Sequence, residues 1–246
     1  MKAFPKILSL HKETQKLPHI SPNSDTWPKE WKIIEYKSYP RFPSYKLPDP
    51  KKIETSFSGV LLSRKSERDF DISREISSQE LGDFLYWSAG IKDPKAPEGK
   101  EDIKKRFYPS GGARFSLEIY FAFSGNKEIP RGLYHYNVLS HSVERLLGED
   151  GDKEIRDAPT YSFVKEASLV FIITGTPRRL MQKYKERGYR YMIIEVGILL
   201  QNMYLVATGV GLKICGVGSD CDDFFEKILD IDGITEQALL FCAAGK

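Results

Sequence analysis

The apolar and polar positions of this chain fall into two kinds of run. Residues 115–123 (FSLEIYFAF) alternate well enough to predict a strand, and residues 167–174 (ASLVFIIT) form the continuous apolar run of a buried strand. Residues 132–137 and 142–147 predict a hairpin turning at 137–140, and residues 238–244 a last strand. Helical spacing governs residues 77–89 (SSQELGDFLYWSA): Ser77 is the N-cap, Glu80 is placed for a capping box, and Leu81, Phe84, Leu85 and Ser88 share the inner face. Pro177 predicts the start of a helical tract that ends at a Gly209 or Gly211 C-cap, and residues 224–229 predict a short amphipathic helix. Strands and helices mix without strict alternation, so the predicted class is α+β and not a doubly wound sheet. There is no internal repeat.

Residues 1–55 are rich in Pro, Lys and aromatics (YPRFPSYKLPDP) and lack periodicity. They read as an extended N-terminal arm preceding a domain over residues 56–246. Residues 92–105 are charged and carry Pro and Gly, as a loop over a site does. The longest uncharged stretch, residues 196–212, is interrupted by Gln201, Asn202, Thr208 and three glycines. It falls short of the roughly 20 apolar residues that span a bilayer, and reads as a buried helix.

Composition narrows the function classes. The net charge is +3, with 37 Lys and Arg spread among 34 acidic residues, so no clustered nucleic-acid footprint exists. Three cysteines near the C-terminus, Cys215, Cys221 and Cys242, lack Cys-x-x-Cys spacing, so neither a disulfide framework nor a metal site is expected. They read as free thiols in a reducing compartment. The first residues lack an apolar run of signal-peptide length, which gives a cytoplasmic expectation.

Arg64, Ser66 and Arg68, followed by Phe70, precede the helix of residues 77–89. If residues 63–68 run extended, alternate side chains share a face, and two guanidiniums and a hydroxyl converge on one dianionic group. A solvated basic turn gives the same spacing. Pro109, Ser110 and Gly111, with Gly112, form a turn of small residues that lets the backbone approach a flat ligand, or simply turns the chain. Gly216 and Gly218 with Ser219 offer a second such place, and Gly245-Lys246 puts a cation on a small-residue tail. The segment GVGLKICGVG has neither the spacing nor the position of a dinucleotide-binding turn. Arg178 opens a basic and aromatic cluster through Lys183, Tyr184, Arg187, Tyr189, Arg190 and Tyr191. A lysine held beside apolar surface has its pKa lowered toward the range useful for proton abstraction; a solvated helix start with packing tyrosines is the competing reading.

Together these segments resemble the nitroreductase family, specifically its SagB-type dehydrogenase branch, which includes azoline oxidases of peptides. The matching residues run from YPR in the arm through Arg64-x-Ser66-x-Arg68-x-Phe70, Pro109-Ser110-Gly111, Gly132-Leu133-Tyr134-His135-Tyr136, Lys183-Tyr184, Glu195-x-Gly197, Gln201-Asn202-x-Tyr204-Leu205 and Gly211-Leu212 to Val217-Gly218 and Gly245-Lys246. The resemblance implies a nitroreductase-like fold with a central, mostly antiparallel sheet flanked by helices, in an intertwined homodimer with FMN at the subunit interface. It implies FMN binding by Arg64, Ser66 and Arg68, by Pro109, Ser110 and Gly111, by Gly218 and Ser219, and by Lys246. It implies catalysis by Lys183 and Tyr184: removal of an azoline ring proton, coupled to hydride transfer to flavin N5. Asp220, where the branch often has Phe, is a departure. Two other functions fit the resemblance, an NAD(P)H-dependent nitroreductase or quinone reductase acting on small molecules, and a non-catalytic flavin-binding scaffold in a peptide-modifying complex. No nucleic-acid, membrane or metal role is implied.

Overall fold

In a computed structural model the seven strands β1 (Ser44–Lys46), β2 (Leu117–Phe123), β3 (Gly132–Asn137), β4 (Ser142–Leu147), β5 (Leu169–Gly175), β6 (Lys213–Val217) and β7 (Gln237–Gly245) form one sheet of order β1-β4-β3-β2-β5-β7-β6. Every strand pair is antiparallel. Seven helices surround it among the described residues: α1 (Pro5–Glu13), α2 (Phe57–Ser63), α3 (Ser78–Ala89), α4 (Glu149–Asp157), α5 (Pro177–Tyr184), α6 (Arg187–Val210) and α7 (Asp222–Ile228). The structure describes residues 5–21, 23–92, 105–218 and 221–246. The expected loop at 92–105, Ser219 and Asp220 lie essentially outside them.

The central strands are buried on both faces, so their two side-chain sets enter two different cores. Leu117, Ile119, Phe121 and Phe123 of β2 pack with Phe84 and Leu85 of α3 and with Leu199 and Met203 of α6. Tyr120 and Ala122 pack on the other side with Ile155 of α4 and Phe225 of α7. This is the α+β architecture the pattern predicts, with both sheet faces covered.

Several local readings hold for the physical reasons that suggested them. Ser77 caps α3 in a reciprocal capping box with Glu80, the hairpin β3–β4 has the expected bounds, and Gly211 closes α6 at φ 78°. Two readings need correction, and one strand went unpredicted. The tract from Pro177 is two helices and not one, because Lys185 adopts φ 50°, ψ −143° and turns the chain between α5 and α6. The arm is not wholly extended: it contains α1, single turns at Ser24–Thr26 and Lys29–Trp31, and β1, which pairs with β4. Lys213–Val217, inside the glycine-rich segment, is the edge strand β6.

Helix α6 has 24 residues and an 18-residue window of mean hydropathy 1.5, which by length and composition is enough to cross a membrane. One face of it packs into the core, and 33% of that window is buried. Met192, Val196, Leu199 and Met203 are buried, and Ile193 and Ile194 on another face are 45% and 52% exposed.

Candidate active site

The first half of the site forms where α5 meets the turn Gly111–Ala113. Pro177 at the first turn starts α5, and the positive φ of Lys185 stops it directly after Tyr184. Gly112 has φ 62°, a region open to glycine at little cost. A Cβ there would lie 2.6 Å from Tyr184 Oη and 3.6 Å from Lys183 Nζ. The phenol and the amine therefore converge on one bare α-carbon, although they are consecutive in sequence and more than 70 positions from Gly112. Tyr184 packs edge-on against Tyr191 at 5.1 Å between ring centres.

Burial sets the acid–base character of the pair. Lys183 is 6% exposed, and desolvation with the neighbouring Arg114 guanidinium lowers its pKa. Burial, reinforced by Tyr191 and opposed by Arg114, raises that of Tyr184. Both shifts disfavour the charged form of each group, the ammonium of Lys183 and the phenolate of Tyr184. One group can accept a proton while the other donates a hydrogen bond.

A cavity of about 330 Å³ opens beside them, lined by Pro109, Ser110, Gly111, Tyr184, Tyr191 and Glu195 among others. Ser110 Oγ donates to Glu195 Oε2 at 2.8 Å and accepts from Phe115 N at 2.8 Å, while Ser116 N donates to Glu195 Oε1 at 3.0 Å. Burial pushes the Glu195 carboxyl up to about 7, against the pull of Ser110, Arg106 and Ser116. In the sequence it is a lone carboxylate inside the apolar tract MIIEVGILL and part of the matching Glu195-x-Gly197, to which no role was given.

The second half lies at the edge strand. Residues 64–70 run without regular structure beside β6 and the end of β7, held by Glu67 N to Ile214 O at 3.0 Å and Asp71 N to Lys246 O at 2.9 Å. Ser66 Oγ is 3.0 Å from Tyr204 Oη, which also accepts from Gly216 N at 2.7 Å, and the Arg64 guanidinium lies 5.4 Å from the Tyr204 ring centre. Arg68 lies over Phe163. Among the described residues no carboxylate pairs with Arg64 or Arg68, whereas Lys65 between them pairs with Glu67. A Cβ on Gly218 would meet nothing within 4 Å. Two guanidiniums without carboxylate partners, a hydroxyl and open backbone at Gly218 make a donor set that fits a phosphate group. Lys246 is turned elsewhere, paired with Glu80 Oε1 at 2.7 Å and with Glu75 O.

Helix α6 separates the halves. Glu195 belongs to the first and Tyr204 to the second, nine positions later, so they stand ~13 Å apart along the axis and about half a turn apart around it. One chain thus gathers Ser110, Gly111, Lys183 and Tyr184 in one place and Arg64 and Ser66 around Tyr204 in another.

The model of the nitroreductase family matches residues 61–246. The chain belongs to the nitroreductase family. Among nitroreductase-related sequences, MJ1384 of Methanocaldococcus jannaschii, named as a nitroreductase, is 33% identical over 81% of this chain and 94% of its own. The trifolitoxin-processing protein TfxB of Rhizobium leguminosarum bv. trifolii is 30% identical over 68% of this chain but 47% of its own, so the chain spans about half the length of that relative. In fold, the chain is similar to one in the Escherichia coli microcin synthetase McbBCD complex with truncated pro-MccB17 bound, with a TM-score of 0.62 at 20% identity, covering 98% of this chain and 91% of that one. It is similar also to an Exiguobacterium sibiricum protein, described as a nitroreductase and solved in complex with FMN, with a TM-score of 0.56 at 13% identity, covering 79% and 90%.

Proposed function

We propose that this nitroreductase-family protein is an FMN-dependent oxidoreductase of the SagB type that dehydrogenates an azoline ring carried by a peptide. The observation that carries the reading is the convergence of Lys183 Nζ and Tyr184 Oη on the Gly112 α-carbon beside the cavity at Ser110. FMN, when bound, supplies the two-electron acceptor. Arg64, Ser66 and Arg68 hold its phosphate end, Gly218 gives it backbone room, and Ser110 and Gly111 border it. The Lys183 amine takes a proton from the ring carbon; Tyr184, kept protonated, donates a hydrogen bond to the same ring. The names of TfxB, a trifolitoxin-processing protein, and of the McbBCD microcin synthetase with truncated pro-MccB17 bound support a peptide substrate.

The reading includes a homodimer. Because the phosphate-binding half and the Lys183 half sit on different sides of α6, a second copy is what brings one against the other. The exposed Ile193 and Ile194 of α6, and Phe57, Leu61 and Leu62 of α2, supply apolar surface for it.

The test is a single preparation. Visible absorption identifies the bound chromophore, and mass spectrometry follows loss of two hydrogens from a thiazoline peptide. A yellow protein releasing FMN and oxidising the peptide supports the reading. A yellow protein that leaves azolines untouched but oxidises NADPH with a nitroarene replaces it with a nitroreductase activity.

A further inference from the structure

Lys183 has an unusual partner for a buried amine. Its electrostatic surroundings are burial and Arg114, with no carboxylate among them, and Nζ lies 3.5 Å from the ring centre of Trp27. Trp27 belongs to the N-terminal arm, outside the residues matched to the family. Its ring is fixed by Nε1 donating to Ser21 O at 2.7 Å, and its backbone N–H closes the turn Ser24–Thr26. Arg114 then ties the arm to α5: Nη1 donates to Trp31 O at 2.5 Å, and Nε to Arg179 O at 2.7 Å. Farther along, Arg187 donates to Gln15 O and Arg190 to His11 O. The indole is thus fixed by its own bond to Ser21 O, and the arm that carries it is tied to α5 and α6 by Arg114, Arg187 and Arg190.

We propose that Trp27 is a positioning residue, whose indole face holds the Lys183 amine beside Tyr184 and makes the arm a wall of the site. The inference rests on the reading of Lys183 as the proton acceptor. An aromatic face orients an ammonium through its ring quadrupole. A carboxylate at the same distance would favour the charged form far more strongly and remove the free amine that proton abstraction needs. The indole also displaces water from one side of Nζ.

The experiment compares wild type, Trp27→Phe and Trp27→Leu by competitive acetylation with acetic anhydride, read by peptide mass spectrometry, and by turnover of a thiazoline peptide. In Trp27→Leu, Lys183 acetylation is expected to rise about tenfold while exposed Lys29 reacts as before, and kcat to fall with KM unchanged. Trp27→Phe, which keeps a π face, stays near wild type in both. If Trp27→Leu lowers the melting temperature, Trp27→Met takes its place. Unchanged Lys183 acetylation, or a Phe variant as impaired as the aliphatic one, overturns the positioning role. If acetylation changes as expected and Lys183→Ala still turns over, the indole contact is upheld and the proposed reaction falls.

Discussion

Arg179 Nη2 lies 2.5 Å from Glu118 Oε1, between side chains that are 6% and 3% exposed. This pair fixes α5 to β2 one helical turn before Lys183. It belongs to a longer chain of buried charge, because Glu118 Oε2 meets His135 Nε2 at 3.1 Å and His135 Nδ1 meets Glu144 Oε2 at 2.9 Å. Burial disfavours ionisation of Glu118, but Arg179 and His135 outweigh it and hold the carboxyl below its usual range. Burial also works against the His135 cation, and hydrogen bonds to Glu118 and Glu144 raise its pKa.

Removing one partner should therefore cost far more than the pair contributes. Arg179→Met leaves a buried carboxylate short of its cation and is expected to destabilise the fold by about 3–5 kcal/mol. Adding Glu118→Gln should recover part of that loss. Urea unfolding of wild type and the two variants checks it; a loss in Arg179→Met no larger than for an exposed arginine would contradict this origin of the stability.

Glu195 predicts a pH dependence of definite sign. Its folded pKa of about 7 lies above the 4.5 of an ordinary glutamate. Between those values the folded state binds the extra proton, so this group makes stability fall as pH rises, and the fall levels off about one unit above pH 7. Glu195→Gln removes the term, and the variant should gain about 3 kcal/mol on wild type between pH 4.5 and pH 8. Unfolding curves at several pH values measure the difference, and a flat difference would show that Glu195 titrates normally.

Gly112→Ala places a methyl at 2.6 Å from Tyr184 Oη and at φ 62°. The backbone strain should cost about 1–2 kcal/mol. The tyrosine tip can swing away, so the larger effect falls on turnover. Loss of stability without loss of turnover would show that the phenol position does not matter.

Arg64→Ala and Lys183→Ala should separate the two halves of the site. The first is expected to weaken FMN binding with charge-assisted bonds worth roughly 1.5–3 kcal/mol. The second keeps the flavin and loses turnover. Flavin titration and single-turnover kinetics on the same preparations decide it, and equal loss of flavin in both variants would end that division.

Local chemistry was legible in the sequence and convergence was not. The capping box of Ser77 and Glu80, the β3–β4 hairpin and the Gly211 C-cap each depend on residues a few positions apart. The break at Lys185 was hidden because Lys-Glu-Arg reads as good helix, although the backbone there takes a positive φ. β6 was masked by its glycines. The residues surrounding Lys183 come from positions 27, 112 and 114, a meeting that no spacing along the chain encodes.

Strand β7 lies between β5 and β6 although it follows both in the chain. During synthesis β6 leaves the ribosome with no strand to pair with, and β5 waits with one edge open through more than sixty further residues. The sheet can close only when residues 237–245 arrive, so a nascent chain carries exposed strand edges until then. The segment bearing Arg64 and Arg68 leans on β6 and on the end of β7, so its backbone finds both of its supports only after β7 has paired.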